Sequence, residues 1–391
     1  TVGRDASHRP GAVEDRSAAA GGVLADHVVE HAGGAGGGPD LRGRDEAGVP
    51  AVAHALADRL QAAGVPVQFE AVPGYGVLLH AQVNAAGEGA PIVLMGHMDT
   101  VFPAGTVAKR PYREEAGRAY GPGVADMKSG LVLNVFVAEA FARCGGLKAP
   151  LHLFFSCDEE IGSPATRDLI IDRVRGARAV FNGEPGRVSG NVVTSRKGSM
   201  LVEFEVEGVA AHAGINHAAG ASAIDALARK TLALHALTDP ATGVTANVGV
   251  VHGGVVSNMV APHARAELDL RFTADTNPED LLARVRAIIE EESVPRTQGR
   301  ITVARSTLPM KPTPDYLLAL YQESARTLGF EVQGEFTGGA ADSGLTASVG
   351  VPTLCATGPV GGHPHTEREY CELTTFVPRA QAVALAVLGH P

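Results

Sequence analysis

The sequence predicts an α/β protein whose mainly parallel sheet is interrupted by an inserted ferredoxin-like (α+β) domain. Three observations carry this prediction. The runs Pro91 to Met95, Leu151 to Phe155 and Ala177 to Phe181, apolar apart from His152 and Arg178, read as strands buried on both faces, as in a parallel sheet. Each run then stops at polar residues able to do chemistry: Gly96 to Asp99, Ser156 to Glu160, and Asn182 to Glu184. From Ser199 the pattern changes to strict alternation, and the element order becomes β-α-β-β-α-β.

Taken in order, residues 1 to about 40 are rich in Gly and Ala, and HAGGAGGGPD reads as a flexible connector. Val52, Leu56, Leu60 and Ala63 recur at helical spacing between Val49 and Gly64, and Phe69 to Leu79 reads as strands around the Pro73-Gly74 turn. After the strand 91–95, GPGVAD leads into a helix from Met127 to Arg143, stopped by Gly145-Gly146, which places Asp126 at the helix N-terminus. Within the insert, Met200, Val202, Phe204 and Val206 alternate with Leu201, Glu203, Glu205 and Glu207 as in a half-solvated strand. A helix (Ala221 to Leu237), two strands (Thr245 to Val251, Ala264 to Phe272), a helix capped by Asn277 with Pro278 at its first position, and a strand (Arg300 to Leu308) complete it. From Pro314 the α/β pattern returns, with a helix to Leu328, a strand from Phe330 to Phe336, the turn TGGAADSG, a strand at Thr353 to Ala356 and a closing helix from Phe376 to Leu388. The expected division is 41–196 with 312–391 as one discontinuous domain and 197–311 as the insert, residues 1–40 remaining unassigned.

Composition excludes several classes. With 391 residues and 45% hydrophobic content the chain can build two cores, yet its longest apolar runs fall well short of the roughly 20 residues that span a bilayer. Cys144, Cys157, Cys355 and Cys371 lack metal-finger spacing. A net charge of -10 disfavours nucleic acid and anionic membrane as partners. The first residues lack a basic stretch followed by an apolar core, so the expected location is cytoplasmic.

Sites in open α/β sheets form outside the carboxyl ends of parallel strands, which gathers His97, Asp126, Glu159, Glu160 and Glu184 at one rim. Imidazoles and carboxylates without thiolates suit a pair of divalent ions such as Zn²⁺, Co²⁺ or Mn²⁺. A bridging carboxylate, for which Asp126 is suited, would hold such ions ~3.5 to 4 Å apart around a shared hydroxide. Asp99, two residues beyond His97, is placed either to orient that imidazole or to ligate. Adjacent Glu159 and Glu160 cannot point the same way from an extended segment, so one can ligate while the other faces substrate as a base. The segment GPVGGHPHTEREY adds a further imidazole, His363 or His365.

Over residues 45 to 390 the sequence resembles the co-catalytic di-zinc metallopeptidase family of aminoacylases and carboxypeptidases, especially its bacterial glutamate carboxypeptidases (carboxypeptidase G). The resemblance is carried by GHMDTV, YGPGVADMKSG, DEEIGS, GEP, AAHAG, GGVVSNMVAP, TGGAADSG and HTEREY, in that order. It implies His97, Asp126 (bridging), Glu160, Glu184 and His365 as ligands, Glu159 as general base and Asp99 as the residue orienting His97. It also implies a homodimer built through the insert, with His212 stabilising the oxyanion across subunits, and Asn258, Arg271, Gly338 and Gly339 contacting a small-molecule or peptide substrate with a free carboxylate. The implied activity is hydrolysis of an N-acyl or N-peptidyl amino acid with release of glutamate. An N-acyl amino acid deacylase or dipeptidase is the alternative on this scaffold, and a non-catalytic binding protein a distant one. Residues 1–40 lack the expected helix and Ser/Gly-containing loop, and Arg196-Lys197 also departs from the glutamate carboxypeptidase pattern.

Overall fold

A computed structural model describes residues 48–390, so the expectation for residues 1–40 lies outside the described residues. The described chain forms two compact units, 48–194 with 313–335 and 349–390, and 195–312 with 336–348.

In the first unit a six-stranded sheet runs in the order Val67–Val72, Gly76–Val83, Leu151–Ser156, Ile92–His97, Ala179–Asn182, Thr353–Leu354. The last four are mutually parallel, and the first two form an antiparallel edge. Ile92–His97 and Ala179–Asn182 are buried along their whole length, as their apolar composition up to the final His97 and Asn182 favours. From Ile92–His97 the chain crosses to the neighbour on one side and next to the neighbour on the other. A crevice therefore opens at the carboxyl ends of these strands. A second, four-stranded sheet pairs Gly361–Gly362, Tyr370–Glu372, Arg118–Tyr120 and Arg113–Glu115, tying the late segment 361–372 to the chain just before Asp126.

The second unit is a four-stranded antiparallel sheet in the order Thr245–Gly253, His263–Phe272, Gly198–Glu207, Gln298–Thr307, with helices Ala223–His235 and Pro278–Glu290. Its alternation is that of a one-sided core: Met200, Val202, Phe204 and Val206 are buried with Leu227, Leu268, Leu270, Val285 and Ile289. The side chains of Ser222 and Asn277 accept the Asp225 and Glu279 amides at 3.2 and 2.9 Å, starting the two helices. No helix among the described residues is long and apolar enough to cross a membrane.

Three local expectations differ from what forms. The helix after GPGVAD starts at Ser129, leaving Asp126 and Met127 in non-helical backbone. The strand expected from Phe330 begins at Gly334, because the Phe330 amide is spent on the preceding helix end, donating to the Ala325 carbonyl at 3.1 Å. Residues 336–348 pack with the inserted unit: the Lys197 amide donates to the Thr337 carbonyl at 3.0 Å, and Arg196 to the Gly339 carbonyl at 3.2 Å.

One consequence of the main sheet is a pH dependence of stability. His80 is buried, with its ring 5.3 Å from that of His152 on the adjacent strand. Burial, then the charges of His152 and Arg173, pull its pKa from 6.5 down to about 4. The unfolded chain therefore takes up this proton first as the pH falls, so the stabilisation is complete above about pH 6.5 and is lost on acidification toward 4. We expect His80→Phe to remove about 1 to 2 kcal/mol of the acid-induced loss, a figure reduced for the ring's partial hydration. Urea midpoints at pH 7.0 and 4.5 check this; identical pH dependence in both proteins would refute it.

Candidate metal centre

His97 is the last residue of a strand paired on both sides, so its backbone is fixed by the sheet. Its Nδ1 lies 3.0 Å from the Asp99 carbonyl and 3.4 Å from Asp99 Oδ1. A proton held on Nδ1 turns Nε2 toward the acidic cluster, where it donates to Asp126 when protonated and is free to ligate a cation when it is not. The fully buried Asp99 carboxylate also accepts the Glu159 and Glu160 amides at 3.2 and 3.0 Å. One carboxylate thus holds both the imidazole and the short helical turn 159–161. Because that segment is turned and not extended, alternation does not set the two glutamate directions; the turn does.

Asp126 sits in the irregular turn before Ser129–Cys144, at φ -111° and ψ 95°, and its peptide bond to Met127 is cis. Its Oδ1 is 3.2 Å from His97 Nε2, and its Oδ2 is 3.3 Å from His365 Nε2. The two oxygens therefore face two different imidazoles. Glu160 Oε2 lies 3.3 Å from His365 Nε2, while Glu159 Oε2 and Glu184 Oε1 each lie 3.8 Å from His97 Nε2. Glu184 follows Gly183, whose carbonyl would be 1.8 Å from a Cβ at position 130, so only Gly130 lets the helix pack this close to the Glu184 segment. His365 comes from the 361–372 hairpin and meets Asp126 and Glu160, whereas His363 packs its ring 6.0 Å from that of Tyr370.

The electrostatics have the signature of a cation site. Burial and then the Asp126 charge push Glu160 up to about 7, against the His365 hydrogen bond. Asp126 is deeply buried, yet hydrogen bonds from His365 and His97 hold it well below the usual carboxylate range. Hydrogen bonds to Asp126 and Glu160 raise His365 to about 11, against burial. Burial by itself would lower His97, but hydrogen bonds to Asp126 and Asp99 carry it well above its ordinary value. Imidazolium protons here offset carboxylate charge that divalent ions would otherwise neutralise. His97, Asp126 and Glu160 each offer a ligand atom within 4.8 Å of the others, and buried Glu160 Oε1 has no hydrogen-bond partner. Nitrogen and carboxylate donors, with an oxygen left over, fit borderline divalent ions.

The remaining residues expected at the site belong to the second unit. His212 is exposed, with Nδ1 accepting the Gly214 and Ile215 amides at 3.2 and 3.1 Å, and the Asn258 carbonyl accepts the neighbouring Ala213 amide at 2.9 Å. Arg271 is paired two-pronged with Asp269, at 2.9 Å through both Nε and Nη2. Gly339 offers its carbonyl to Arg196, and a Cβ at Gly338 would meet nothing within 4 Å.

Sequence reasoning missed three buried groups. Glu369 accepts the amides of Gly123, Ala125 and Asp126 at 2.9 to 3.0 Å. Lys128 donates to the Pro122 carbonyl at 2.7 Å and is lowered to about 7 by burial, against the charges of Glu369 and Glu160. Asp158 accepts the Ala165 and Thr166 amides at 2.7 and 3.2 Å, bracing the loop after Glu160. The available signals were a carboxylate just before the strand residue Tyr370, and a lone lysine among small and apolar residues.

Comparison with known proteins agrees with this geometry. Residues 93–389 match the model of peptidase family M20/M25/M40. The chain is 27% identical over 355 residues to Carboxypeptidase G2 of Pseudomonas sp., covering 88% of this chain and 85% of that protein. It is 29% identical over 342 residues to a succinyl-diaminopimelate desuccinylase of Burkholderia ambifaria, covering 81% and 88%. Among solved structures, a metallo-carboxypeptidase of the M20 family from Sulfolobus solfataricus superposes with a TM-score of 0.78 at 17% identity, covering 94% of this chain and 98% of that one. The chain belongs to peptidase family M20/M25/M40 and is a hydrolase of that family.

Proposed function

We propose that the protein is a di-metal exopeptidase that cleaves the amide bond of an N-acyl or N-peptidyl amino acid and releases a C-terminal glutamate. The observation that most supports it is the pair of Asp126 oxygens facing His97 and His365, with Glu159 beside them. In this reading His97, Glu184 and Asp126 hold one divalent ion, and Asp126, Glu160 and His365 hold the other. Zn²⁺ is the expected ion, with Co²⁺ or Mn²⁺ able to take its place. When bound, such ions acidify water and polarise an amide carbonyl.

The protein's own groups then do the proton work. Glu159 takes a proton from the attacking water at its carboxylate and delivers it to the leaving nitrogen, while Asp99 keeps His97 oriented. From the second unit, His212 donates to the oxyanion, and Asn258 and the Gly338-Gly339 backbone contact substrate. Arg271 keeps Nη1 for the substrate carboxylate, because Nε and Nη2 are engaged by Asp269. His212 acts across a homodimer, which light scattering checks; a monomer that is fully active would remove that role.

A second reading on the same scaffold, an N-acyl amino acid deacylase, is favoured by the similarity to a desuccinylase. A panel of N-acyl and N-peptidyl amino acids assayed with Zn²⁺ separates the two. We expect acyl and peptidyl glutamates to give a kcat/KM at least about tenfold above the N-acetyl derivatives of neutral and basic amino acids, equivalent to ~1.4 kcal/mol of carboxylate recognition. The reverse order would assign the deacylase.

A further inference from the structure

We propose that Glu369 is a positioning residue for the metal centre: its buried carboxylate fastens the hairpin carrying His365 to the turn presenting Asp126, and so aims the two Asp126 oxygens. The inference rests on the di-metal reading above.

Glu369 is 1% exposed. Its Oε1 accepts the Ala125 and Asp126 amides at 2.9 and 3.0 Å, and its Oε2 accepts the Gly123 amide at 3.0 Å. One of these donors is the amide of Asp126 itself. Because that residue lies outside the helix, no helical ladder fixes its backbone, and the Glu369 bonds take over that task. A carboxylate presents two acceptor oxygens, while glutamine presents one and would turn an NH₂ toward the remaining amide. The hairpin is in any case secured by strand pairing of Tyr370–Glu372 with Arg118–Tyr120 and by the Arg118–Glu372 ion pair at 3.0 Å. What Glu369 adds is a rigid link from one imidazole donor to the carboxylate that faces both.

The test uses the full chain with Glu369→Gln and Glu369→Asp, stripped by a chelator and titrated with Zn²⁺ against a chromophoric competitor. We expect Zn²⁺ affinity to fall about 10- to 100-fold, as for residues that orient a ligand. We also expect an altered visible spectrum of bound Co²⁺, and at saturating Zn²⁺ a lower kcat with KM unchanged. Thr313→Val serves as a destabilised control, because it removes buried bonds to the Thr194 and Thr353 carbonyls at 3.1 and 2.6 Å; it should keep native affinity. Native Zn²⁺ affinity and Co²⁺ spectrum in both Glu369 variants, or an equal loss in Thr313→Val, would overturn the proposal. So would failure of both Glu369 variants to fold, which would make the residue a general prop. Fewer than two Zn²⁺ per wild-type chain, or no hydrolysis by the loaded wild type, instead refutes the di-metal exopeptidase reading and leaves the Glu369 affinity comparison readable.

Discussion

Glu159→Ala is expected to retain two metal ions per chain and to lose roughly 10²- to 10⁴-fold in kcat, the usual contribution of a positioned acid-base group. The retention follows from geometry. The backbone amide of residue 159 holds Asp99 Oδ1 at 3.2 Å, and this bond does not depend on the side chain. Glu160, His365 and Asp126 keep their mutual contacts. The kinetic loss follows from chemistry, because in the proposed mechanism Glu159 is the group that takes the proton from water and delivers it to the leaving nitrogen. Metal analysis with initial rates on a glutamate conjugate checks both halves. Full activity would remove Glu159 from the mechanism, and loss of metal would make it a ligand.

Asp126→Ala is expected to have the largest effect on metal content. It deletes both oxygens that face the imidazoles, at 3.2 and 3.3 Å, so both ions should go together. Affinity should fall beyond the about 10- to 100-fold typical of groups that only orient a ligand. The metal-free protein should also become less stable near neutral pH, since the hydrogen bonds from His365 and His97 that hold Asp126 below the usual carboxylate range are lost with it. Zn²⁺ stoichiometry after dialysis, beside thermal midpoints of the stripped proteins, tests this. Loss of a single ion would mean that Asp126 serves one site alone.

Much of the centre was legible because strands buried on both faces are almost wholly apolar until they end, His152 being the exception. The residues where Ile92–His97, Leu151–Ser156 and Ala179–Asn182 stop are therefore those available for chemistry. The ferredoxin-like order was readable for a related reason: one-sided burial writes a period of two into the strands. What escaped depends on distant contacts. The backbone at Asp126 takes its shape with Glu369 bound to its amide, and no local pattern encodes a partner that arrives so late in the chain. That His365 and not His363 faces Asp126 and Glu160 goes with a turn in which both residues adopt positive φ. The grouping of 336–348 depends on bonds to Arg196 and Lys197, which hydrophobic periodicity does not report.

The pairing of Thr353–Leu354 with Ala179–Asn182 has a consequence for biosynthesis. The sheet's last strand and the hairpin with His365 and Glu369 are translated only after the entire insert. A nascent chain can form the antiparallel edge, the parallel strands 92–97, 151–156 and 179–182, and the inserted unit without them. Closing so long a loop is slow compared with forming local structure. In the two-ion reading proposed above, the second ion's site is thus completed last, and a chain arrested before residue 361 would hold His97, Asp126, Glu160 and Glu184 without the imidazole of His365.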